Sequence, residues 1–233
     1  MDGDRNLDRF LARVDRDGAL AEAGEDLEVA LSRRRLLGAG ATGAIAVLLS
    51  HAGLARASSG LSKTDVNILN YALVLEYLQA SFYTEAERSG ALSGKAAEAA
   101  RVVGATERAH VRAFLKLLGS QAVKRPSFNF QGVTEAQRPF LKTAVAFEDL
   151  AVAAYKGQAP KLQSNAVLAA AIGIHSVEAR HAAWMRELFG ITPAVRAFDQ
   201  PASREQINRI VASTHFVAAH PNMQGRANPQ YTG

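Results

Sequence analysis

Glu107 and His110 stand three residues apart in Thr106-Glu107-Arg108-Ala109-His110, and Glu178 and His181 stand three apart in Val177-Glu178-Ala179-Arg180-His181. On a helix, positions i and i+3 share a face, so a carboxylate and an imidazole can reach one point together. The chemistry open to such a pair is metal ligation. A single Glu-x-x-His most often marks a solvated helix face. Here the pair recurs 71 residues later, inside apolar runs both times. Two further carboxylates, Glu76 in Leu73–Leu78 and Glu148 in Val145–Leu150, also sit within apolar stripes. An isolated carboxylate there would be costly. Each is followed seven residues later by a tyrosine, Tyr83 or Tyr155.

The elements that must hold these residues are helices. Leu69, Ala72, Leu73, Glu76, Ala80 and Tyr83 recur at spacings of three and four, which predicts a helix from Lys63 to about Arg88. Thr64 and Asp65 offer N-cap chemistry, and Gly90 ends the run. A second helix is expected from about Gly94 to Leu118, closed by Gly119. Residues 119–133, with Pro126 and Gly132, read as a crossover along the outside of a bundle, pinned by Phe128 and Phe130. A third helix is expected from about Thr134 to Lys156, with Pro139 in its first turns, and a fourth from about Ser164 to Phe189, ended by Gly190 and Pro193. Ser203 to Val217 reads as a short fifth helix, with Ser203 as its cap. Residues 221–233 have no apolar pattern and are expected to be a loose tail.

The first and third helices match at an offset of 72 residues, the second and fourth at 71. The pattern is two similar helical hairpins joined by one long crossover, an all-α four-helix bundle with a short C-terminal helix. The Ala-, Leu- and Val-rich composition suits close-packed helices. The absence of cysteine excludes disulfides, thiolate metal sites and a cysteine nucleophile. A net charge of +5, without a basic stripe interleaved with aromatics, is no nucleic-acid footprint.

Residues 1–57 read as something other than part of the bundle. A charged stretch leads to Arg33-Arg34-Arg35, then to a Gly- and Ala-rich apolar run ending near Leu49, then to Ala55-Arg56-Ala57. This resembles a twin-arginine signal peptide with a long leading segment, cleaved after Ala57. The apolar run, at about 15 residues, is short for a bilayer span. The other readings are an uncleaved membrane anchor and an amphipathic helix. A signal of this kind implies the twin-arginine translocase as a partner, passage in the folded state, and a periplasmic or extracellular destination. The bundle domain is then residues 58–220.

The succession of Glu, then Glu-x-x-His about thirty residues on, then the same again beyond a long connection, resembles the ferritin-like superfamily of di-metal carboxylate bundles. Phe147-Glu148-Asp149 with Ala153-Ala154-Tyr155, Glu178-Ala179-Arg180-His181, and Pro126-Ser127-Phe128-Asn129-Phe130 look like the bacterial group that includes desiccation-related proteins. The resemblance spans about residues 62–217 and implies a metal site. In it Glu76 and Glu148 would be terminal ligands, Glu107 and Glu178 would bridge two metals, and His110 and His181 would each bind one. Tyr83, Tyr155 and His175 are candidates for the layer behind those ligands, although such tyrosines more often simply pack. Four carboxylates suit two divalent ions, iron or manganese before zinc. The implied chemistry is ferrous oxidation, or reaction with dioxygen or peroxide. The competing expectation is a non-enzymatic envelope or stress-protection protein whose metal is structural or absent. Iron storage would require a closed shell, a homo-oligomer whose interfaces one chain does not display. Glu85, Glu87, Glu98, His215 and His220 read as solvated, and Lys124-Arg125 as an ordinary basic loop.

Overall fold

A computed structural model describes residues 60–194 and 196–218. The candidate signal peptide, its cleavage site, His220 and the 221–233 tail lie outside the described residues. Among the described residues, five α-helices follow in order: α1 (Lys63–Ser89), α2 (Gly94–Leu118), α3 (Gln137–Gln158), α4 (Asn165–Phe189) and α5 (Arg204–Thr214). Among the described residues there is no strand, and no helix is long and apolar enough to cross a membrane. The architecture is the expected one: α1 packs chiefly on α2 and α3 on α4, two hairpins joined by a long connection.

The ends of the helices follow from local chemistry. Ser62, rather than Thr64 or Asp65, caps α1: its hydroxyl accepts from the Asp65 backbone N–H at 3.0 Å. Asp65 is itself buried and accepts the Gln163 backbone N–H at 2.8 Å, tying the start of α1 to the approach of α4. Gly90 and Gly190 close α1 and α4 in the left-handed conformation that glycine adopts freely. α3 begins at Gln137, later than expected. Pro139 then lies in its first turn, where a missing N–H costs no helical hydrogen bond. α5 starts as expected, with a full capping box between Ser203 and Gln206. It ends three residues early, because His215 turns to a φ of 57° and sends the chain out along the crossover. There Phe128 and Val217 pair antiparallel, and Asn129 N–H donates to the Phe216 carbonyl at 2.8 Å.

The crossover is pinned as expected, with Phe128 and Phe130 fully buried. α5 lies over α1 and α3, where Ile207 packs with Leu75, Leu150 and Ala154. The segment leading into α5 passes so close to α3 that a Cβ on Gly157 would collide with the Ala202 carbonyl. Glu85 departs from the expectation of a solvated residue. It is buried, and its carboxylate accepts the Thr134 hydroxyl at 2.7 Å, because the end of the crossover folds down onto α1. Burial raises its pKa. Glu87, Glu98 and His215 are exposed, and Glu87 pairs with Arg108 at 2.7 Å. Arg125 does more than fill a basic loop, since its guanidinium donates to the buried Ser81 hydroxyl at 2.7 Å.

Candidate metal centre

All six residues singled out in the sequence are buried and face one another in the middle of the bundle. They come from four helices: Glu76 from α1, Glu107 and His110 from α2, Glu148 from α3, Glu178 and His181 from α4. Their atoms form two overlapping groups. Glu76, Glu107, His110 and Glu178 make one, and Glu107, Glu148, Glu178 and His181 make the other, with ligating atoms in each group within 4.8 Å of one another. Glu107 and Glu178 belong to both, the arrangement a pair of bridging carboxylates requires.

The contacts repeat across the two groups. His110 Nδ1 lies 3.2 Å from Glu76 Oε2, from Glu107 Oε2 and from Glu178 Oε1. His181 Nδ1 lies 3.0 Å from Glu107 Oε1, 3.5 Å from Glu148 Oε2 and 3.9 Å from Glu178 Oε2. Proximity here is not hydrogen bonding throughout. Glu107 Oε1, Glu148 Oε2, both oxygens of Glu178 and His181 Nδ1 have no hydrogen-bond partner among the described residues. Buried polar atoms are rarely left so. Five of them converging on one interior point are what ligands around cations look like, and the donor set fits hard or borderline divalent metals.

Tyrosines from opposite helices fix the outer carboxylates. The Tyr83 hydroxyl on α1 donates to Glu148 Oε1 on α3, and the Tyr155 hydroxyl on α3 donates to Glu76 Oε1 on α1. The exchange leaves Glu76 Oε2 and Glu148 Oε2 facing the centre. Burial, reinforced by the carboxylates, raises the pKa of both phenols well above the ordinary value, so they stay protonated donors. His175 is half-buried, one turn before Glu178, and burial lowers its pKa. Among the described contacts, no hydrogen bond or ion pair joins it to the six. At the matching place in α2, Gly104 approaches α1 so closely that a Cβ would lie 2.8 Å from Tyr83 Cβ.

The electrostatics express a shortage of positive charge. Burial pushes Glu76 up to about 7 against the pull of His110, and burial with the neighbouring Glu107 carboxylate raises Glu178 strongly. For Glu107 the two imidazoles outweigh burial and lower it. Burial alone would lower the imidazoles. The carboxylates around them instead raise His110 strongly and lift His181 to about 10. In the metal-free cluster the raised histidines and glutamates favour holding protons, which offsets part of the crowded negative charge.

The ferritin-like domain family matches residues 64–190, more than half of the chain. The chain belongs to that family. The match runs from the first turn of α1 to the cap of α4, so it takes in both hairpins and all six clustered residues. No curated protein matches the chain. In this ferritin-like chain the buried carboxylate and histidine cluster is compatible with metal binding.

Proposed function

We propose that this is an exported ferritin-like protein that holds two transition-metal ions, iron or manganese, and oxidises ferrous iron with dioxygen or peroxide. Glu76 and His110 would serve one ion, Glu148 and His181 the other, and Glu107 and Glu178 both. The observation that carries the reading is the overlap of the two ligand groups on Glu107 and Glu178, with their converging oxygens otherwise unpartnered. Two ferrous ions so held would supply two electrons, which dioxygen takes up with two protons to give hydrogen peroxide. The chain's own part is positional. Tyr83 and Tyr155 each occupy one oxygen of a terminal carboxylate, leaving the other oxygen for an ion. The apolar helix faces around the cluster keep its dielectric low, which strengthens every charge interaction inside. The twin-arginine-like segment at 33–57 supports export to the periplasm or beyond.

The test is elemental analysis after reconstitution, followed by aerobic addition of ferrous iron against a protein-free control. About two ions per chain and accelerated ferric absorbance are expected, as in di-metal bundles generally. Glu178→Ala should abolish the acceleration, since it removes a ligand common to both groups. Binding of metal with no acceleration by either oxidant would leave a structural staple, as an envelope protection protein would use. Changing Arg33 and Arg34 to lysine should retain the precursor in the cytoplasm.

A further inference from the structure

The two halves of the bundle share their polar residues but fill the space behind them differently. Beside Tyr83, three phenylalanines close the gap between α1 and α3. Phe82 stacks on Phe140 with centroids 5.2 Å apart and meets Phe147 edge-on at 5.1 Å. The offset of 72 residues places Ala154 at the position of Phe82, Ile68 at that of Phe140 and Leu75 at that of Phe147. With a methyl and two aliphatic chains in place of three rings, the Tyr155 half keeps a partly open cavity of about 30 Å³. Ile68, Leu75, Ala154 and Tyr155 all line it. That is room for a molecule of two heavy atoms, since about 10–15 Å³ on this measure holds one water.

The cavity abuts the centre. Tyr155 is its wall on one side, and the hydroxyl of the same ring donates to Glu76. The exposed wall is apolar. Tyr71 Oη and Gln158 Nε2 border it, both buried and without a hydrogen-bond partner among the described residues. An apolar wall favours small apolar molecules such as xenon over water. Peroxide, which needs hydrogen bonds on both oxygens, suits it poorly.

We propose that this cavity between α1 and α3 is a binding site for dioxygen, the antechamber from which it reaches the centre past Tyr155 and Glu76. The idea rests on the oxidase reading above, and it makes dioxygen rather than peroxide the oxidant of that reading. Among the described residues, the buried rings beside Tyr83 fill the equivalent place, so the proposed access is from the Tyr155 side.

Crystals of the full chain under xenon pressure test it. A xenon peak among Ile68, Leu75, Ala154 and Tyr155 is expected, with none beside Phe82. No peak, or an ordered water bridging Tyr71 and Gln158 instead, overturns the proposal. Ala154→Phe installs the ring found at Phe82 and should abolish the peak. Leu75→Phe installs that of Phe147 and serves should the first variant not fold. Metal stoichiometry should hold in both, while oxidation driven by dioxygen slows severalfold and oxidation driven by added peroxide does not. Unchanged dioxygen kinetics in a variant that has lost xenon would reject the route. Xenon reads the cavity with or without metal. An inert centre beside an occupied cavity therefore overturns the function, and an active centre beside an empty cavity overturns the antechamber.

Discussion

The Tyr83 half and the Tyr155 half of this bundle carry the same chemistry in different packing. Each gives a terminal glutamate, a Glu-x-x-His pair and a tyrosine that crosses to the other half's carboxylate. Around Tyr83 the interior is filled by rings: Phe82, Phe140 and Phe147 interlock, Phe130 joins them from the crossover, and Gly104 lets α2 press against Tyr83. Around Tyr155 the neighbours are aliphatic, α5 covers the outside through Ile207, and α4 carries His175 where α2 has Gly104. The comparison separates two demands. Under the proposed function, the six polar residues keep matched positions in the two hairpins because two similar ions would be served. Packing is free of that demand, so one half can supply rigidity while the other supplies space.

The sharpest way to break the comparison is to open the filled half. Phe82 is fully buried among rings, so Phe82→Ala should cost about 3–5 kcal/mol through lost burial and a residual cavity. Urea unfolding with an unchanged slope would measure it. A cost near that of an exposed substitution would show that the ring cluster does not carry the stability of its half.

Metal removal comes next and acts on both halves together. Ions bound only by the native state stabilise it by mass action, about 4 kcal/mol at free ion a thousandfold above Kd. The melting temperature should therefore fall on the order of 10 °C on chelation. An unchanged value with metal loss confirmed would mean that the cluster does not hold the ions.

The metal-free chain should also acquire a pH dependence of its own. A carboxyl raised by folding, such as Glu76 at about 7, stabilises the fold fully below its ordinary value of 4.5, and the contribution is lost as pH rises through 7. His181, lifted from 6.5 to about 10, stabilises fully below 6.5 and loses that contribution as pH rises through 10. Both slopes have one sign, so the metal-free melting temperature should fall steadily from about pH 5 to about pH 9. Glu107 is lowered instead, so its contribution is lost only at the acid end. A flat or rising profile over that window would contradict the protonation pattern.

How much of this could be read from the chain differs by level. The helices were legible because Gly90, Gly119 and Gly190 punctuate apolar stripes, and the six clustered residues because matched spacing puts them on inward faces. Glu85 was misread. Its position two residues after Tyr83 lies off the stripe, and only the descent of the crossover onto α1, through Thr134, buries it. The start of α3 and the end of α5 differ from the expected ones by a few residues, since Pro139 fits a first turn as well as a second and His215 adopts a positive φ that no local signal demands. The seven-residue spacing sets each tyrosine two turns from the glutamate of its own helix. Their bonds to the opposite glutamates depend on how α1 and α3 pass one another, which one helix's periodicity cannot carry. The substitution of Ala154 for Phe82 is visible in the aligned repeats, but whether it leaves space or is filled by a neighbour is a matter of packing.

The smallest expected effect comes from the tyrosines and sharpens the comparison most. Tyr83→Phe and Tyr155→Phe each remove one hydroxyl and leave a buried carboxylate oxygen without its donor, a penalty of about 1–3 kcal/mol in the metal-free chain. With metal bound the carboxylate gains an ion as partner, so stoichiometry should hold in both variants and the stability loss should shrink. Were the halves equivalent in function as well as in ligands, the two variants would alter ferrous oxidation alike. They should not. Tyr83 is enclosed by rings, so its variant changes only the orientation of Glu148. Tyr155 is also the wall between the cavity and Glu76, so its variant changes the path as well as the carboxylate. The dioxygen concentration giving half-maximal rate should therefore move in Tyr155→Phe and stay in Tyr83→Phe, while rates with added peroxide respond similarly in the two. Equal shifts would mean that the oxidant reaches both ends of the centre alike, and the packing difference would then concern stability alone.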